Sequence, residues 1–251
     1  MEINASQDVI AFIKESAKLR YPQEACGFLV KKGKKTIAVE VSNESPNPRQ
    51  QFLINPEKFA EVEEFIGEIV AVWHSHVDEP AIPSSADLAG CEESAMPWFL
   101  IAIYKHQDDV FEFSNLISFE PIGHQSPLIG RPYVYGIFDC WSLVVDYMKQ
   151  KHGIEMSNSY PRYENFWKNG KPFFSMHYAD EGLVKVTDNT YQDGDVFMFQ
   201  TDSSGEINHV GVYIGNDKFI HHVQGRVSQT DIYGGYWLKH TILHLRHKDK
   251  C

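Results

Sequence analysis

Between positions 8 and 19 apolar residues return at helical spacing, with Val9, Ile10, Phe12, Ile13 and Ala17 on one side. This predicts an amphipathic helix that Pro22 ends. The runs 27–30 and 36–41 predict a strand pair, and Pro46 and Pro48 mark 43–49 as a loop. A second helix is expected over 56–66, with Pro56 in its first turn. The short apolar run 69–73 predicts a buried strand. Ser84 or Ser85 caps a helix that runs to about Ser94. Two strands are expected at 98–104 and 110–116, around a turn at 107–109.

The pattern then breaks. Pro121, Gly123, Pro127, Gly130 and Pro132 punctuate a stretch with neither a helical nor a strand period. The expected organisation is a first domain over 1–118, a linker over 119–132 and a second domain over 133–251. A helix follows over 140–148, with Trp141, Val144, Val145 and Met148 on one face. Residues 149–190 carry no readable period. Consecutive strands are expected at 195–199, 209–214 and 218–223. No internal repeat relates the halves.

A chain of 251 residues, 43% of them hydrophobic, can supply each half with its own core. A net charge of -11 argues against binding a phosphate backbone, so no nucleic-acid partner is expected. The basic cluster Lys31-Lys32-Gly33-Lys34-Lys35 falls between strand-like runs and reads as a solvated hairpin turn. No apolar stretch is long enough for membrane insertion. The first eight residues lack the pattern of a secretory signal, so synthesis in a cytoplasm without the usual export is expected. Cys26, Cys91, Cys140 and Cys251 are scattered, which suggests neither a disulfide framework nor a cysteine zinc site.

Against this background two groups of residues carry chemistry. His74 and His76 stand two apart at the end of a strand, so both imidazoles face one side. Asp87 falls one turn into the next helix. Two histidines and a carboxylate form a common ligand set for catalytic zinc, leaving one position for a water. The spacing His74-Ser75-His76, seven residues, Ser84, two residues, Asp87 resembles the signature of the JAMM (Mov34/MPN) metalloproteases. Glu24, ahead of Gly27 in Pro22-Gln23-Glu24-Ala25-Cys26-Gly27-Phe28, matches that family's upstream glutamate. The resemblance implies His74, His76 and Asp87 as Zn2+ ligands, Glu24 as general base and Ser84 as oxyanion donor. It also implies a cytidine-deaminase-like α/β/α fold.

The second group centres on Cys140. A cysteine at a helix N-terminus has its thiolate favoured by the helix dipole, and Asp139 is a good cap. Its base must come from elsewhere in the fold, oriented by a third polar group. His209 opens one strand and a return strand ends at His221-His222. Hairpin counting alone leaves His221 and His222 open, because one residue of slip exchanges the faces.

This half resembles the NlpC/P60 cysteine peptidases. The matching pieces are Tyr133-Val134-Tyr135-Gly136, Asp139-Cys140, Asp193-Gly194-Asp195-Val196-Phe197, His209 to Gly215, and Phe219-Ile220-His221. The resemblance implies Cys140 as nucleophile, His209 as base, His221 rather than His222 as orienting residue, and Tyr133 as oxyanion helper. It implies a papain-like α+β fold, and so an α+β two-domain chain. Trp141-Ser142 replaces the Ser-Gly that usually follows the cysteine.

The order of the two families on one chain is similar to that in tail tip proteins of lambda-like bacteriophages. It implies hydrolysis of peptidoglycan stem peptides by the thiol site, and of a peptide or isopeptide bond by the metal site. It implies other phage tail tip proteins as partners. The protein would occupy the host cytoplasm during assembly, then the virion tail tip, and reach the periplasmic wall at infection. Three alternatives stay open: an assembly or structural factor with relic sites, a JAMM isopeptidase acting on a ubiquitin-like modifier, and acyl transfer by the Cys-His pair.

Overall fold

The Ser6 hydroxyl accepts from the Val9 N–H and starts α1 (Gln7–Arg20) in the computed structural model of the chain. The structure describes residues 5–158, 160, 166–169, 172–188 and 190–250. The chain divides into two units, Met1–Gln125 and Ser126–Cys251.

In the first unit α1 is followed by a hairpin of β1 (Cys26–Lys32) and β2 (Lys35–Val41). Then come α2 (Pro56–Phe65), β3 (Glu68–Val77), α3 (Ser85–Ser94), β4 (Trp98–Lys105), β5 (Phe111–Phe113) and β6 (Ile117–Phe119). The sheet order is β2-β1-β3-β4-β5, with β6 also paired to β4. β3 and β4 run parallel, and α3 connects them. Alternation along the strands gives each face its own core. Leu29, Ala71, Trp73 and Ile101 pack against Val9, Ile13 and Ala17 of α1. Phe28, Val72 and Trp98 pack against Val62 of α2 and Cys91 of α3. The result is a sheet between two helical layers.

Two sequence expectations need correction here. His74 and His76 do not follow a short strand; they lie within β3, because β1 and β4 continue the ladder past Trp73. The strand expected over 110–116 is shorter, ending as β5 at Phe113, and a separate β6 starts only at Ile117. The break falls at Ser114, whose hydroxyl accepts from the Ala102 N–H at 2.9 Å.

The residues expected as a linker are divided between the units and anchored in each. In the first, the Glu92 carboxylate accepts from the N–H groups of Ile122 and His124 at 2.6 and 2.8 Å. In the second, the buried Arg131 guanidinium donates to the carbonyls of Ser126 and Pro127 and pairs with Asp146.

The second unit begins with α4 (Cys140–Tyr147), which widens into a π turn over Met148–His152. It continues with α5 (Phe173–His177), β7 (Leu183–Lys185), β8 (Val196–Phe199), β9 (His209–Gly215) and β10 (Lys218–His221). β11 (Gln229–Ile232), α6 (Gly235–His240) and β12 (Thr241–His247) complete it. The sheet is antiparallel in the order β11-β10-β9-β8-β12-β7. Val196, Met198, Val210, Val212 and Ile220 pack with α4. Phe197, Phe199, Tyr213, Phe219 and Tyr233 form a second, aromatic cluster. No helix among the described residues is long and apolar enough to cross a membrane.

Candidate functional site

In the first unit three donor atoms converge. His74 and His76 leave the same face of β3, and their Nε2 atoms are 3.3 Å apart. Asp87 Oδ1 is 3.2 Å from His74 Nε2, and Oδ2 is 3.3 Å from His76 Nε2. Asp87 is aimed by a capping box: Ser84 Oγ accepts from the Asp87 N–H, and Asp87 Oδ2 accepts from the Ser84 N–H. All three side chains are buried. This is the sole group of its kind among the described residues.

The donors fit a zinc ion. Ligands about 2.0–2.1 Å from a tetrahedral zinc lie about 3.3 Å from one another. His76 Nδ1 donates to the Pro80 carbonyl at 3.0 Å, which leaves a lone pair on Nε2. Phe52 stacks on the His74 ring at 4.7 Å, and His74 Nδ1 is buried without a hydrogen-bond partner among the described residues. The electrostatics also favour a cation. Burial opposes a charge on His76, yet the Asp87 carboxylate and the Pro80 carbonyl outweigh it and raise His76 to about 9. Burial likewise opposes a charge on Asp87, but the two imidazoles hold it far below the usual carboxylate range.

Glu24 lies just before β1. Cys26 is paired with His74, so extending that antiparallel register by two places Glu24 across from His76. Burial pushes its carboxyl up to about 8, partly offset by the nearby His76. Asn43 secures the strand entrance, donating to the Glu24 carbonyl at 3.0 Å while its Oδ1 accepts from the N–H groups of Ser45 and Leu53. Cys26, two residues away, is fully buried and its thiol is pushed well up by desolvation.

In the second unit Cys140 is the first residue of α4. Asp139 Oδ1 accepts from the N–H groups of Trp141 and Ser142 at 3.0 and 2.9 Å. Ser142 Oγ in turn accepts from the Asp139 N–H at 2.8 Å. Ser142, one of the two unusual residues after the cysteine, therefore completes a capping box. Trp141, the other, is buried against Phe174 and donates to the Ser157 carbonyl.

Cys140 lines a cleft of about 380 Å³ together with Tyr133, Trp167, His209, His222 and Trp237. His209 opens β9, and His221 ends β10 on the same face. His209 Nε2 is 2.9 Å from His221 Nδ1. Burial, with the neighbouring imidazoles, holds His209 well below its ordinary value and therefore neutral. His222 belongs to the opposite face; its Nε2 meets the Arg226 carbonyl at 3.1 Å and its ring lies against Tyr133. Burial pushes His222 down to about 4. Gly211, opposite His221, has no room for a side chain, since a Cβ would lie 2.7 Å from the Phe219 ring.

Sequence reasoning missed one acid. Asp231 of β11 places Oδ2 3.1 Å from His221 Nε2. Trp237 Nε1 donates to the same oxygen at 3.2 Å, and Gln229 Nε2 donates to Oδ1 at 3.2 Å. The only signal was the alternation of Gln229 and Asp231 with Thr230 and Ile232, too short to predict a strand. His244 and His247, three apart in β12, share no ligand centre among the described residues: His244 Nε2 meets Asp195 Oδ2 at 2.8 Å, beside a two-point Arg246–Asp195 ion pair.

The two folds and sites define a JAB-type domain joined to an NlpC/P60-type domain. Residues 6–115 match the prokaryotic homologs of the JAB domain, and residues 130–246 match the NlpC/P60 family. Tail tip assembly protein K of Escherichia phage N15 is 33% identical over 97% of this chain and 96% of its own length. The protein of the same name from Escherichia phage lambda is 29% identical over 78% of this chain and 89% of its own. The murein DD-endopeptidase MepH of Escherichia coli is 30% identical over 45% of this chain and 40% of its own. The chain belongs to the tail tip assembly protein K family.

Proposed function

We propose that the chain is a two-site peptidase of a phage tail tip, whose second unit opens peptidoglycan stem peptides. The observation that carries this reading is the alignment of His221 behind His209 in the cleft that also holds Cys140. The murein endopeptidase relative supports the substrate class, and the tail tip relatives support the setting. Other tail tip proteins would then be its partners in the virion.

In the second unit the Cys140 proton passes to His209 as sulfur attacks the scissile carbonyl. The oxyanion lies near the Cys140 N–H at the start of α4, with Tyr133 as a further donor from the cleft wall. His209 returns the proton to the leaving amine, and a thioester remains. His209 then takes a proton from water, which attacks the thioester; the acid departs and the thiol is restored. His221 holds the His209 ring in line throughout.

In the first unit we assign hydrolysis of a peptide or isopeptide bond. Zinc, when bound to His74, His76 and Asp87, would supply a polarised water and a Lewis acid. Glu24, across the strand register from His76, would take a proton and return it to a leaving amine. The Ser84 hydroxyl, seated at the start of α3, has its O–H free to face a developing oxyanion while its oxygen caps the helix.

Mass analysis of purified peptidoglycan digested by wild type, Cys140→Ala and Glu24→Gln tests the assignment. Cleaved stem peptides are expected from wild type and Glu24→Gln and not from Cys140→Ala. Undiminished cleavage by Cys140→Ala would overturn the thiol mechanism.

A further inference from the structure

We infer that Asp231 is a positioning residue of the thiol site, the fourth member of a line that runs Cys140, His209, His221, Asp231. The inference rests on the proposed thiol chemistry and names the group that sets the proton positions within it. A carboxylate can only accept, so Asp231 fixes the proton of neutral His221 on Nε2, 3.1 Å away. His221 Nδ1 then carries a lone pair, and it can only accept from His209 Nε2 at 2.9 Å. His209 is left with its lone pair on Nδ1, the nitrogen not bonded to His221. One carboxylate thus sets the tautomer of both rings.

The carboxylate is itself held. Trp237 Nε1 and Gln229 Nε2 donate to its two oxygens, and the Trp237 indole lies edge-on to the His221 ring at 4.6 Å. A positive charge arriving on His209 during attack would be opposed by burial and by the imidazoles of His221 and His222. His221 faces Arg226, which also opposes it, and Asp231, which favours it. His222 in turn faces Asp139 and Arg131. Among these groups Asp231 is the anion hydrogen-bonded to the pair, and it stabilises the imidazolium through His221.

Asp231 has a third of its side chain exposed, on the edge strand of its sheet, so its replacement leaves the core untouched. The test is the rate of Cys140 alkylation by iodoacetamide against pH, in the full chain, with the other cysteines replaced by alanine. Wild type is expected to react faster at pH 7 than an unassisted thiol. Asp231→Asn is expected to lower the pH 7 rate on the order of tenfold, within the ~10²–10⁴ that a complete general base supplies. At pH 10, above the ordinary cysteine value of about 8.5, both proteins are expected to react alike. Asp231→Glu, which keeps the carboxylate, is expected to recover most of the pH 7 rate. Equal profiles for wild type and Asp231→Asn, with wild type still assisted, would overturn the role of Asp231 alone. An equal loss at every pH would also overturn it, because that marks a structural defect. A wild-type profile matching an unassisted thiol would overturn the thiol reading itself.

Discussion

His74 Nε2 and His76 Nε2 face each other at 3.3 Å, each within 3.2–3.3 Å of an Asp87 oxygen. The Pro80 carbonyl engages Nδ1 of His76, so its Nε2 faces the Asp87 carboxylate, a pairing that needs a proton or a metal ion between them. A cation at its centre would balance such a cluster. One equivalent of zinc is expected on the purified protein by elemental analysis. His74→Ala and Asp87→Asn should each lose it. At free zinc a hundredfold above Kd the metal should stabilise the first unit by about 2.7 kcal/mol. A wild-type protein that takes up no stoichiometric zinc would exclude the site.

On the proposed thiol chemistry, the pH dependence of stem-peptide cleavage would follow from His209. Its burial, reinforced by His221 and His222, lowers its pKa well below the ordinary range. The neutral, proton-accepting form therefore persists as pH falls. The acid limb of kcat/KM, which reports the free enzyme, should lie below the ordinary histidine value of about 6.5. An acid limb at or above that value would show that His209 is not the base.

Much of both candidate sites was legible because their chemistry constrains spacing within single elements. His74 and His76 share a face of any strand, and Asp139 before Cys140 announces a capped helix. Their strand context was underestimated because the ladder through His76 depends on β1 and β4, which are remote in sequence. The choice between His221 and His222 was unreadable from the hairpin because it turns on the register with β9. Asp231 was invisible for a related reason. Its role exists only through β11 pairing with β10, and a four-residue polar strand leaves no period to detect. The 149–190 stretch stayed unplaced because its described elements are short, α5 having five residues and β7 three.

Asp195 predicts how the second unit responds to acid. It is fully buried, and burial alone would raise its carboxyl; hydrogen bonds from His244 and Arg246 outweigh that and lower it. A carboxylate depressed in the folded state adds stability above its unfolded value, about 3.9, and loses it as pH falls through the folded value. Thermal melts should therefore show the second unit losing stability below about pH 4. Asp195→Ala, which removes the carboxylate paired with the buried Arg246, should cost about 3–5 kcal/mol near neutral pH. A melting temperature of Asp195→Ala equal to that of wild type at pH 7 would refute this role.

Gly27 links the core of the first unit to its candidate metal site. A Cβ there would lie 1.9 Å from the Val39 carbonyl oxygen and 2.9 Å from the Trp73 indole. The contact is close because Trp73 reaches across Gly27 to donate from Nε1 to that same carbonyl, at 3.2 Å. Backbone cannot yield as a flexible side chain does, so Gly27→Ala must push the indole aside or part β1 from β2. Either movement acts on Trp73, whose neighbour in β3 is His74. The substitution should cost about 3 kcal/mol, the upper end for overpacking, and weaken zinc retention with it. Cys140 alkylation reports on the other unit and should be unchanged. Gly27→Ala with wild-type melting and full zinc content would show that the strand accommodates the methyl group, and that Trp73 does not brace the histidine pair.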